Sequence, residues 1–174
     1  MFVNTTGNLN VAVGKSVLDA NTTGAANTGV GNNSLSANTT ANNNTGFGAY
    51  TLEDNTTGTA NTAVGAGALK NNTTADSNTA VGLDALMTNT TASENTAVGY
   101  AALTSNSTGA NLTAVGSQAL EANSTGNNNT AVGKQAGHSI TTGSSNTAVG
   151  KGSLASLTTG RQTRKRVRTS RSGS

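Results

Sequence analysis

The chain has no cysteine, no proline and no tryptophan. Without cysteine there is no disulfide framework, and a Cys–His nucleophilic pair is impossible. Aromatic residues make up 2% and charged residues 10% of the 174 residues. So few large apolar side chains cannot fill the core of an ordinary globular domain, and composition alone reads as low complexity. No apolar run reaches the length of a membrane span. The opening Met1-Phe2-Val3-Asn4 has neither a basic n-region nor an apolar h-region, so no signal peptide is expected.

Potential chemistry is equally sparse. His138 is the one histidine, and other copies of its repeat loop carry Lys70, Met87 or Glu121 there, so it reads as a surface residue. Asp19, Glu53 and Glu121 share a repeat position, but intervening copies do not, so no acidic ladder forms. No catalytic constellation, metal site or cofactor site is expected, and the chain is not expected to be an enzyme.

What is present is a period. Gly14, Gly31, Gly48, Gly65, Gly82, Gly99, Gly116, Gly133 and Gly150 follow one another at an interval of 17 residues that never slips. An unbroken short period means one structural unit copied along an axis, each copy touching mainly its neighbours. The array occupies residues 10–160, after a partial coil at 1–9 and before a basic tail at 161–174, expected to be disordered. The array with its partial coil holds four lysines against seven acidic residues, whereas the tail holds six basic residues. The tail has no aromatic interleaving, so binding to a polyanion would be electrostatic and no specific nucleic-acid recognition is expected.

Each unit divides into three segments. The residues before the glycine are β-branched and alternate in character, which predicts a short strand. Its inward face is predicted to carry Val13, Val30, Phe47, Val64, Val81, Val98, Val115, Val132 and Val149. Four residues after the glycine a second inward anchor is predicted: Leu18, Leu35, Leu52, Leu69, Leu86, Leu103, Leu120 and Leu154, with Gly137 the exception. This second segment fits either a strand or a single helical turn. Asn-Thr-Thr-Gly, as at Asn21–Gly24 and Asn55–Gly58, then supplies turn chemistry.

The expected fold is therefore all-β, a parallel β-solenoid of nine coils. Nine coils at a spacing of about 4.8 Å make a rod of about 40 Å. The residue two before the glycine is always small: Ala12, Ala63, Ala80, Ala97, Ala114, Ala131 and Ala148, with Gly29 and Gly46. Placed opposite the valines, this strip is the candidate subunit interface, the alternative being that tight turn geometry alone excludes larger side chains.

Asn10-Val11-Ala12-Val13-Gly14 and its copies resemble the head repeats of trimeric autotransporter adhesins. The fuller phrase Gly99-Tyr100-Ala101-Ala102-Leu103-Thr104-Ser105-Asn106-Ser107-Thr108-Gly109 and the variant Ala136–Gly143 are similar to repeats of phage and bacterial tail-fibre proteins. The resemblance covers residues 4–160, with a unit longer than the usual adhesin repeat. It implies a homotrimer at a virion tail, in the extracellular space or on a cell surface. The implied function is a fibre segment that attaches to a cell-surface glycan or protein receptor, with no membrane insertion. Tyr50, Tyr100 and Lys134 are candidate contacts. A bacterial surface adhesin or an end-to-end filament is the alternative.

Two further readings attach to the turns. Sequons at Asn21, Asn38, Asn55, Asn89, Asn106, Asn111 and Asn123 are explained more simply by turn-forming Asn than by glycosylation. Threonine ranks suggest ice binding, but Thr22-Thr23 and Thr56-Thr57 are adjacent pairs, and strand alternation would turn their members to opposite sides.

Overall fold

The computed structural model describes residues 3–161 and 163–166. The chain is all-β and winds as a parallel solenoid. Each coil contributes one three-residue strand: β1 Val11–Val13, β2 Thr28–Val30, β3 Thr45–Phe47, β4 Thr62–Val64, β5 Thr79–Val81, β6 Thr96–Val98, β7 Thr113–Val115, β8 Thr130–Val132 and β9 Thr147–Val149. A tenth, β10 Arg164–Arg166, follows in the basic segment. The strands form one sheet in chain order. Register is strict, so Thr62 lies over Thr79, Ala63 over Ala80 and Val64 over Val81.

β10 corrects one expectation. The tail does not begin as disorder, because Arg164–Arg166 pairs in parallel with Thr147–Val149 at the same register. A parallel edge offers backbone donors and acceptors that do not depend on side-chain type. The remainder of the tail, 167–174, lies outside the described residues.

The second segment is neither strand nor helix. Ser16, Asn33, Tyr50, Asp84, Ala101, Gln118 and Gln135 have φ between 51° and 59°, and the leucine column from Leu18 to Leu154 has φ between 49° and 55°. Left-handed residues two apart fold this stretch into consecutive turns, which continue neither a strand nor a right-handed helix. The turns also place two successive residues inward. Ala68 and Leu69, and likewise Ala85 and Leu86, are buried together.

The predicted leucine anchors Leu18, Leu35, Leu52, Leu69, Leu86, Leu103 and Leu120 are at 0% exposure, and Leu154 packs against them. The valine column is the reverse of what alternation predicted. Val13, Phe47, Val115 and Val132 are exposed, and Val30, Val64, Val81, Val98 and Val149 are half-buried. The alanines supposed to form an outer strip point inward: Ala63, Ala80, Ala97, Ala114 and Ala131 are at 0% exposure and Ala148 at 1%. Only Ala12, in the first coil, is exposed.

Two causes choose this face. Alternation ties the alanine to the asparagine two residues before it, and that asparagine is needed inside. Asn44, for example, accepts the backbone N–H of Asn61 on Oδ1 at 2.9 Å and donates Nδ2 to the Gly58 carbonyl at 2.8 Å. The interior is also tight there, and where the residue opposite is larger than alanine even a Cβ is excluded. A Cβ added at Gly29 would collide with Val17 Cγ1, and one at Gly46 would lie 2.8 Å from Thr51 Oγ1.

A second asparagine column completes the interior. Asn55 Nδ2 donates to Asn38 Oδ1 at 3.1 Å and to the Gly58 carbonyl at 3.0 Å, while its Oδ1 accepts from Asn72 Nδ2 at 2.8 Å. The same pattern runs from Asn4 to Asn123. Each satisfied bond contributes about 1 kcal/mol, and leaving such a group unpaired costs about 1–3 kcal/mol. Amide ladders thus do much of the work for which the composition provides no apolar surface.

Candidate subunit interface

The strand face that turns outward is made of two ranks. One is the threonine rank Thr28, Thr45, Thr62, Thr79, Thr96, Thr113, Thr130 and Thr147, and the other is the rank of valines with Phe47. In β1 to β9 these ranks contain no charged residue. An antiparallel sheet facing water alternates apolar and polar sides, and a parallel sheet is normally covered on both. Here an all-parallel sheet leaves an aliphatic rank open to solvent along its length.

Phe47 is the most protruding member at 57% exposure. In the turn after the glycine Leu83 is 49% and Tyr100 53% exposed, in a column that carries Lys15, Lys134 and Lys151 in other coils and so does not extend the rank. An uncharged rank of partly exposed aliphatic side chains of this kind is suited to an interaction surface. An exposed aromatic within it has the character of an interface anchor.

The polar residues singled out in the sequence are placed on the turn segments. Tyr50, Tyr100 and Lys134 are exposed. Lys70 Nζ stands 3.4 Å from Glu53 Oε2 and 5.5 Å from the Tyr50 ring centroid. Asn33 Nδ2 donates to Glu53 Oε1 at 3.1 Å. His138 Nε2 lies 3.0 Å from Glu121 Oε2. Glu53 and Glu121 are therefore held by neighbours in adjacent coils rather than gathered around one point. Among the described residues no group of three or more His, Cys, Asp or Glu is arranged to hold a metal ion. Among the described residues no helix is long and apolar enough to cross a membrane.

The sequon asparagines Asn21, Asn38, Asn55, Asn89, Asn106 and Asn123 are at 0% exposure inside the ladder, whereas Asn111 is exposed. In the folded chain the ladder asparagines have no amide accessible to a glycosylating enzyme.

What sequence reasoning missed is the polarity of the strand. The usable signal was the asparagine four before the glycine, whose parity matches the alanine and not the valine.

No protein-family model matches the chain, and no curated protein or solved structure matches it.

Proposed function

We propose that the chain is a non-enzymatic structural segment of an extracellular fibre, most like a phage tail fibre, whose copies associate through the outward valine and Phe47 rank. The observation that carries this reading is that uncharged rank on an unbroken parallel sheet. Covering it stabilises the assembly by about 25 cal/mol for each Å² of apolar surface removed from water. The resemblance to trimeric adhesin heads and tail-fibre repeats favours three copies around one axis. The alanine strip proposed from the sequence is not the contact, since it lies within each coil.

In this reading the array sets length, about 4.8 Å for each coil. The turn residues Tyr50, Tyr100 and Lys134 remain on the outer surface for contact with a cell-surface glycan or protein. No cofactor and no membrane insertion are required.

Electron microscopy of the purified protein tests the proposal. Discrete short rods wider than a single coil stack are expected. Continuous filaments would favour the end-to-end alternative, and single-width or globular particles would overturn the proposal.

A further inference from the structure

The interior asparagine and the glycine or alanine three residues after it are separated by two threonine positions. Strand alternation predicts that these two point to opposite sides. They do not: burial on this segment repeats every three residues, so Asn55 is buried, Thr56 half-buried, Thr57 exposed and Gly58 buried. Both threonines of each pair lie outside.

The two ranks differ in what the fold asks of them. The first is tied down. Thr22 Oγ1 donates to the Thr39 carbonyl at 3.1 Å, and Thr56 Oγ1 to the Thr73 carbonyl at 3.1 Å. Where serine replaces threonine the bond persists, as in Ser107 Oγ to the Ser124 carbonyl at 3.0 Å. The second rank is Thr6, Thr23, Thr40, Thr57, Thr74, Thr91, Thr108, Thr125, Thr142 and Thr159. Every member is exposed. Among the described residues, none of their hydroxyls bonds to a protein group. Yet the position never varies. The exposed column three residues on carries Leu9, Ala26, Asn43, Ala60, Ser77 and Glu94 in successive coils. Folding accounts for the first rank and leaves the constancy of the second unexplained.

The spacing of this rank is set at the rank itself. The Thr39 carbonyl accepts the backbone N–H groups of Thr22 at 2.9 Å, Thr23 at 3.2 Å and Gly24 at 3.4 Å, besides the Thr22 hydroxyl. The Thr73 carbonyl accepts from Thr56 at 2.9 Å and Thr57 at 3.3 Å in the same way. Thr6, Thr74, Thr108 and Thr125 donate likewise to the carbonyls of Thr22, Thr90, Ser124 and Thr141, and coil stacking spaces the row at one strand spacing, about 4.8 Å. The result is a row in which a methyl and an unbonded hydroxyl recur once per coil. That interval is close to the one between water oxygens along the a axis of hexagonal ice.

We infer that this threonine row is an ice-binding surface: its hydroxyls enter the water lattice, and its methyls sit against it. Ordered water at a protein surface costs immobilisation entropy, and a row of fixed repeat aligns many waters at once. The inference does not depend on how copies associate, because the row lies on the turn segment and not on the strand.

The test is thermal hysteresis and incorporation into a growing ice hemisphere by the full chain. Thr74→Lys and Thr91→Lys interrupt the middle of the row. Ser77→Lys places the same charge at an exposed position in the variable column. Circular dichroism melts establish that all three variants fold. The expected result is hysteresis and ice incorporation for the wild type and Ser77→Lys, and loss of both for Thr74→Lys and Thr91→Lys. Exclusion of folded wild type from ice overturns the inference. So does equal activity in all variants, or equal loss in Ser77→Lys.

Discussion

Ile140 fills the space left by Gly137. A Cβ on Gly137 would stand 3.1 Å from Ile140 Cδ1 and 3.0 Å from Leu120 Cδ2. Coil eight thus lacks its leucine and also lacks its ladder asparagine, and the second departure repairs the first. Gly137→Leu alone overpacks the site, and Ile140→Asn alone opens a cavity. Each is expected to cost about 1–3 kcal/mol. Gly137→Leu/Ile140→Asn recreates the common coil and is expected to restore stability to near that of the wild type. A double-mutant cycle by urea denaturation measures the coupling. Additive losses would show that the two positions do not share one space.

The ladder can be interrupted at its centre. Asn72 Nδ2 donates to Asn55 Oδ1 at 2.8 Å and to the Ala75 carbonyl at 3.0 Å. Asn72→Ala leaves Asn55 Oδ1 buried and unpaired, while the Ala75 carbonyl keeps its bond from Asn61 Nδ2 at 2.7 Å, and a loss of about 1–3 kcal/mol is expected. Thr74→Ala, on the exposed row two residues away, is expected to change stability by less than about 0.5 kcal/mol. Denaturation midpoints of the two variants check the difference.

Backbone conformation gives a prediction of opposite sign at two nearby sites. Gly65 has φ +117°, and a Cβ there would lie 2.7 Å from the carbonyl carbon and oxygen of Gly82. Gly65→Ala is expected to destabilise by more than about 3 kcal/mol. Ala60 is exposed with φ 56°. Ala60→Gly relieves left-handed strain and is expected to stabilise by about 0.5–1 kcal/mol, after the entropy that glycine adds to the unfolded chain. Differential scanning calorimetry reads both shifts.

The polarity of the strand is tested by two adjacent substitutions. Ala97→Glu buries a carboxylate at a position with 0% exposure and is expected to abolish cooperative folding. Val98→Glu places it on the outward face, where the coil itself tolerates it, so a folded chain with the wild-type circular dichroism spectrum is expected. The reverse outcome would return the valines to the interior.

The coil count, the parallel stack and the leucine anchor were legible because the period of 17 repeats every inward position together. The orientation of the strand was not read, because valine's hydrophobicity outweighed the parity of Asn27, Asn44 and Asn61, whose amides have bonding partners only inside. The turn segment was misread as strand or helix because nothing in Ala-Leu announces a leucine at φ near 50°; that conformation is imposed by the closing of a narrow coil. Pairwise alternation likewise misplaced Thr22 and Thr23, since the segment between Asn21 and Asn27 repeats in threes.

The most direct measurement for the account as a whole is the molar mass of the folded protein in solution by multi-angle light scattering, for wild type and Val98→Glu. A wild-type mass about three times the 17.0 kDa of one chain is expected, and 17.0 kDa for the folded Val98→Glu variant. A folded wild type of 17.0 kDa, or a Val98→Glu variant that keeps the wild-type mass, would contradict it.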